Sequence, residues 1–413
     1  MRIGIVGGGI SGLVVAWLLS EDHEVVLYER DGSLGGNARS VLVGDPGSTC
    51  WATPGSTHIL PGSYPLTVRL LAHLAVATRR LPVEITVVDE ARRVRWLSPR
   101  RRRIGGVAER GDSAGWARLL ASAWRLERRG DWSVTWQQFV DGIGGRTRFI
   151  VEVGEPVVAA FWGVRPSQMG SLSARALLAY LTRQTPGANS WVPGWPVVCA
   201  DGTGRLVEAL ATNTARADVR VCTSVEALGR SASKVVVESS GGRETFDRVV
   251  LAVPPWTAGC LAGDEALHSV QSLHKTPTVI AIHTSDDLLP TDPLLRSAAM
   301  VIVGDDRSQL TTLVGHTGGR AVYRSWVSSG AAPTSGVLMT AAYTHVAPTP
   351  QLFSTQAAVR AWQGTGGCWL AGSWTRDVDS IESAVRSALL CAKGIDPSAS
   401  RVRWLAQHPA PSC

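Results

Sequence analysis

A short apolar run, Ile3-Gly4-Ile5-Val6, leads directly into Gly7-Gly8-Gly9-Ile10-Ser11-Gly12, and this junction restricts the fold more than any other stretch. Ile10 to Leu19 is apolar enough for a helix buried on most sides, and Glu24-Val-Val-Leu-Tyr28 reads as a second strand. Strand, glycine turn, helix and strand make a βαβ unit, which implies a parallel sheet. The spacing of Gly7, Gly9 and Gly12 fits G-x-G-x-x-G. The first glycine permits the tight turn, the second lets a pyrophosphate approach the backbone, and the third lets helix and strand pack closely. Ile10 and Ser11 open the helix, whose free N–H groups and positive dipole end suit phosphates. Glu29 ends the second strand 20 residues after Gly9. A carboxylate there accepts hydrogen bonds from a ribose diol and repels a 2′-phosphate, although the adjacent Arg30 leaves NADP open.

The glycines alone do not separate FAD from NAD. The next loop, Leu34-Gly35-Gly36-Asn37-Ala38-Arg39-Ser40, resembles the second glycine motif of the amine oxidase and carotenoid desaturase flavoproteins. In that family the loop passes the pyrophosphate and ribityl chain of FAD. Asn37 stands where the family usually has Arg, His or Lys, and Arg39 follows two positions later, so either could face the phosphates. Gly55-Ser-Thr-His58-Ile59-Leu-Pro-Gly-Ser-Tyr-Pro65 with Leu70-Leu71 is similar to a stretch of plant-type phytoene desaturases and of hydroxysqualene dehydroxylases. The resemblance places His58 and Ile59 beside the isoalloxazine. Asp247-Arg-Val-Val-Leu-Ala252-Val-Pro-Pro255 resembles the strand that returns the chain to the FAD domain, and the segment before it would bring the Val225 backbone to adenine.

At the far end, Ala371-Gly372-Ser373-Trp374-Thr375 and Ser380-Ile381-Glu382-Ser-Ala-Val-Arg-Ser387 resemble the C-terminal flavin motif of the same families, with Ser373 where they carry an acidic residue. A helix starting near Ile381 and capped by Asp379 or Ser380 would point free N–H groups at what precedes it. In the family that is the pyrimidine edge of the flavin, which gains negative charge on reduction. The resemblance implies an α/β fold: a discontinuous Rossmann-like FAD-binding domain of the amine-oxidase type and an interleaved mixed α+β substrate domain. FAD would be held non-covalently.

Strand signals cluster at both ends and between Gly202 and Pro255. We therefore assign 1–70, 196–262 and 363–413 to FAD binding and 71–195 with 263–362 to the substrate. The 71–195 stretch reads as amphipathic helices rich in tryptophan, and the tail after Pro397 as poorly ordered. The chain has 413 residues, 45% hydrophobic and 18% charged, enough for two folded domains. No run approaches the ~18 apolar residues of a membrane span, and no cleavable leader precedes the first strand, so a cytosolic protein is expected. The seven cysteines are scattered without a C-x-x-C pair, which predicts neither a disulfide framework nor a metal site. The net charge of +7 comes almost wholly from arginine, most densely over Arg92 to Arg103. That stretch is either a surface for anionic lipid heads or an acidic carrier, or a solvated loop. No nucleic-acid motif accompanies it.

Amine oxidases of the family often place a lysine near N5, on the strand that here is Pro277 to Thr284. The matching position looks apolar, and Lys275 lies a few residues early. This favours desaturase-like chemistry. His58, His283 and Lys275 are the candidate catalytic residues, with a hydrogen-bonded core histidine as the competing reading of either histidine. Trp162, Trp191, Trp195, Trp256, Trp326 and Trp374 could wall a flat apolar pocket or pack the core, Trp374 being the one beside the flavin motif. The sequence thus points to an FAD-dependent oxidoreductase that dehydrogenates a hydrophobic small molecule such as a polyene, terpenoid or polyketide. The alternative is an FAD-bound isomerase or cyclase without net redox change. Oligomeric state is left open.

Overall fold

The structure, a computed structural model, describes residues 1–82, 84–98, 112–183, 196–214, 216–231 and 234–407. A five-stranded parallel sheet draws on three distant parts of the chain. Its order is Cys368–Leu370, Arg248–Leu251, Arg2–Val6, Glu24–Tyr28 and Asp218–Arg220. In the inner strands residues alternate between two buried faces, so these read as nearly continuous apolar runs, whereas the edge strand Asp218–Arg220 is polar and partly exposed. Ile3, Ile5, Val25, Leu27 and Val250 meet one core, while Val6, Val26, Tyr28, Val249 and Leu251 meet another. On the first face lie helices Ile10–Leu19, Gly204–Asn213 and Ile381–Ile395. All ten residues of the opening helix are buried. The second face is covered by the antiparallel sheet Val225–Arg230, Val235–Ser239 and Gly242–Phe246.

A seven-stranded mixed sheet forms the other large layer, in the order Val337–Val346, Lys275–His283, Arg320–Trp326, Arg307–Thr317, Ala299–Gly304, Ile85–Asp89 and Val94–Leu97. The last two strands fall in the stretch expected to be helical. Ile85 and Val87 lie on buried sheet positions that a helical reading of the neighbouring tryptophans obscures. Helices Asp112–Arg129, Trp136–Gly142, Glu155–Trp162 and Ala174–Thr182 gather around a separate apolar core beside this sheet. Register defines its working face. Thr276 pairs with His345, Thr278 with Tyr343, Ile280 with Trp326, and Ile282 with Arg324, which also pairs with Thr312.

The tail departs from expectation. Ser400–Gln407 is a helix, with Leu405 fully buried and the Trp404 ring tilted against His73 at 4.2 Å between ring centres. Arg69 donates to the carbonyls of Trp404 and Leu405, and Arg401 donates to the carbonyl of Trp17. Apolar contact with the first core overrides the weak local signal.

Candidate active site

The glycine turn shows why no side chain is tolerated there. Gly7 has φ +105°, and a Cβ on it would lie 2.5 Å from the Ala252 carbonyl oxygen. One on Gly12 would lie 1.9 Å from the Gly7 oxygen, whereas Gly9 faces open space. Strand and helix are thereby clamped while one backbone segment stays bare at the carboxyl ends of the strands, where ligands of open α/β sheets bind. Glu29 is fixed by two backbone donors, Gly8 at 2.8 Å and Asp31 at 2.9 Å, leaving further lone pairs on its carboxylate. The Thr223 amide donates to its carbonyl, so the Val225 segment is drawn to the same corner.

The second glycine loop lies against the first: the Gly35 amide donates to the Gly8 carbonyl, and Gly36–Ala38 forms a 3₁₀ turn. Arg39 reaches Ser33 and Asp31, and Arg30 is largely exposed beside Asp31. Asn37 turns its carbonyl to the Ser56 amide, which hangs the Gly55–His58 loop on this motif. At the other end Ser380 caps the closing helix through the Ser383 amide at 3.1 Å, and the earlier N–H groups of that helix have no intrahelical acceptor. The Ser11 hydroxyl meets the Ala384 carbonyl at 3.4 Å, so the two helix starts are neighbours. Bare glycine backbone, adjacent helix N-termini and a strand-end carboxylate fit an adenine dinucleotide.

From this crevice a cavity of about 800 Å³ extends to the seven-stranded sheet and the helical layer. Its wall is mostly apolar and aromatic, including Trp96, Trp116, Trp124, Phe161 and Trp162. Its polar groups come from three places. His58 and Thr57 belong to the hung loop, Arg324 and His345 to the sheet, and Asp379 and Ser380 to the start of the closing helix. His58 Nδ1 lies 3.1 Å from the Thr57 hydroxyl, and enclosure with the nearby Arg324 charge pushes its pKa down to about 3. His345 Nδ1 lies 3.3 Å from an Asp379 carboxylate oxygen. Enclosure opposes ionisation of Asp379, yet the hydrogen bonds from His345 and Ser373 outweigh it and hold the carboxyl below its ordinary range. The Tyr180 hydroxyl donates to the Asp379 carbonyl at 2.9 Å, and burial keeps both Tyr180 and Tyr64 protonated.

Several expected site residues take other places. His283 does not reach the cavity: it is fully buried on the opposite face of its strand and its Nε2 pairs with Ser325 at 2.8 Å, the core-histidine reading. Lys275 is exposed, its ammonium 5.0 Å from the centre of the Trp256 ring, because its strand alternates it away from Thr276. The inward positions of that strand begin with Thr276 and Thr278 rather than apolar residues. Ile59 pairs both its backbone groups with Val197 and buries its side chain in the core. Trp374 is a buried staple, donating to the Val253 carbonyl at 3.0 Å and walling Gly372 from below. Of the basic cluster, Arg93 and Arg95 pair with Asp89. Arg100 to Arg103, Trp191 and Trp195 lie outside the described residues. Sequence reasoning missed Arg324, His345, Tyr64 and Tyr180, and it considered Asp379 only as a helix cap. No metal-binding cluster occurs among the described residues. None of the described helices is long and apolar enough to cross a membrane.

Comparison with known proteins agrees with this geometry. The family model for flavin-containing amine oxidoreductases matches residues 10–340. An uncharacterised protein of Methanocaldococcus jannaschii is 33% identical over 89 residues, 22% of this chain and 20% of the relative, so the match spans about a fifth of that protein. Cyclohexylamine oxidase from Brevibacterium oxydans IH-35A superposes with a TM-score of 0.68 at 15% identity, covering 95% of this chain and 98% of the other. A CLA-producing fatty acid isomerase from P. acnes superposes with a TM-score of 0.69 at 13% identity, covering 94% of this chain and 96% of the other. At such identities the likeness shows a shared fold, which one redox and one isomerising enzyme both use.

Proposed function

Because the chain belongs to the flavin-containing amine oxidoreductase family and is an FAD-dependent oxidoreductase of that fold, we propose that it dehydrogenates a hydrophobic small molecule in the aromatic cavity. One observation carries the reading: the apolar chamber opens at the start of the closing helix, where Ser380 and Ile381 line its wall. Segments 1–70, 196–262 and 363–413 would hold FAD non-covalently, and 71–195 with 263–362 would shape the substrate. Gly7 to Gly12, with Gly35 to Arg39, would hold the pyrophosphate, Glu29 the ribose, and the N–H groups of Ile381 and Glu382 the pyrimidine edge. FAD, when bound, supplies the acceptor for a substrate hydride.

The protein's own part is position, dryness and proton handling. The tryptophans exclude water and hold a flat apolar body by contact. Asp379, kept ionised by His345 and Ser373, orients the imidazole. His345 lines the cavity, and its Nε2 is buried without a partner among the described residues. A turn of the ring that exposes Nε2 would let it accept a proton from the substrate, as a histidine steered by a carboxylate does. His58 stays neutral through the physiological range and lines the wall as a hydrogen-bonding group. The arginine-rich stretch Arg92 to Arg103 would serve as a contact for lipid heads or an acidic carrier, less the two arginines already paired with Asp89.

Anaerobic mixing of the purified holoprotein with candidate hydrophobic substrates tests the proposal. Bleaching of the visible flavin band supports dehydrogenation. Turnover with an unbleached flavin overturns it in favour of an isomerase or cyclase.

A further inference from the structure

Resting on the cavity as the substrate site, we infer that it takes a substrate with an anionic carboxylate head, received by Arg324, and not the ammonium group the family's name suggests. Arg324 is 3% exposed and lines the cavity. Its Nη1 donates to the Gly55 carbonyl at 2.9 Å and to the Thr57 hydroxyl at 3.0 Å, both neutral acceptors. Its Nε has no partner, and no carboxylate pairs with it among the described residues. Burial lowers its pKa only to about 10, so the guanidinium is charged at neutral pH.

Burying a cation without a counter-ion is unfavourable, and an anion arriving in the cavity would relieve that penalty. The ionisable groups coupled to it do not supply a counter-charge: His58 is neutral, and burial keeps the Tyr343 hydroxyl protonated. The Asp379 carboxylate elsewhere on the wall is engaged by His345. Thr312, directly across the strand pair, offers only a hydroxyl, and Ile282 on the other side is apolar. The guanidinium is planar and forked, so two carboxylate oxygens match it better than a single point charge. Two residues along the strand and on the same face, Trp326 begins an aromatic wall that continues through Phe161, Trp116 and Trp96. A fixed cation next to a long aromatic wall fits an acid with an extended apolar body. The same cation repels an amine.

Three probes with one body and different heads test this on the holoprotein: 6-phenylhexanoate, its methyl ester and 6-phenylhexylamine, titrated by calorimetry with the flavin oxidised. The acid is expected to bind at least about tenfold tighter than the ester or the amine. Arg324→Met is expected to weaken the acid by about 10- to 100-fold while the ester is unaffected and flavin content is retained, and Arg324→Lys to fall between. Equal binding of acid and ester by the natural protein overturns the inference, and that comparison stands even if the methionine variant fails to fold. A folded Arg324→Met protein that has lost its flavin also overturns it, since the guanidinium would then serve the cofactor. Binding of the probes requires no turnover, so a failed bleaching experiment and a failed head-group ranking are separate results.

Discussion

His58 shows how one enclosed side chain reports on its surroundings. Its folded pKa is about 3 against 6.5 for a free histidine, so it is neutral in the native state. The unfolded chain binds the proton that the native chain refuses, and the state with more protons bound gains as pH falls. The sign is therefore fixed: this residue contributes nothing above pH 6.5 and destabilises the fold progressively as pH drops from there toward 3. Each pH unit in that window corresponds to ~1.4 kcal/mol and about 2 °C in melting temperature for a chain of this size. His58→Gln keeps a hydrogen-bonding group next to Thr57 and removes the titration. Thermal unfolding between pH 4 and 7 is expected to show a shallower acid slope in the variant than in the natural protein, and parallel slopes would place the titration elsewhere. Arg324 works with this histidine, its charge adding to the penalty on an imidazolium. An acid bound at Arg324 would relieve part of that penalty.

At the scale of elements, the glycine turn and the closing helix do the positioning, and both work through backbone. Replacing Gly12 by Val puts a Cβ where the Gly7 carbonyl stands, 1.9 Å away, and must separate helix from strand. The expected outcome is a folded protein that purifies with little flavin, read from the ratio of visible to ultraviolet absorbance. Retention of full flavin would show that the opening helix does not carry the phosphates. This element was readable from sequence because its constraint is local: three glycines, a strand before and a carboxylate at the end of the next strand. The closing helix was readable for the same reason, its Ser380 cap and apolar face lying within one segment. The cavity's polar wall was not. Arg324, Thr276 and His345 meet through strand register across some 70 residues, and an isolated arginine or histidine in an alternating strand gives no sign of which face it takes. His283 and Lys275 were misplaced by that ambiguity, each one residue out of phase with the inward positions. The C-terminal helix was hidden differently: its short, arginine-bearing segment has weak intrinsic tendency and is held by burying Leu405 and by Arg69.

Across the whole molecule, the parallel sheet joins three parts of the chain that local bonding does not hold together: 2–28, 218–251 and 368–370. Glu29 and the Val225 segment meet at one corner, while the starts of the opening and closing helices meet at the other. A dinucleotide stretched between those corners touches all three parts, so its binding energy becomes folding energy for the assembly. A ligand held at a thousand times its dissociation constant stabilises by ~4 kcal/mol, about 5 °C in melting temperature for a chain of this length. Stripping FAD should therefore lower the melting temperature by that order, and returning it should raise the value steadily with the logarithm of its concentration. FMN carries the ring and one phosphate but no adenosine, so it can reach the closing helix without reaching Glu29. Its expected shift is a minor fraction of that given by FAD. Equal shifts from the two would mean that the adenosine corner contributes nothing, and that Glu29 is only a clasp between the Gly8 and Asp31 amides.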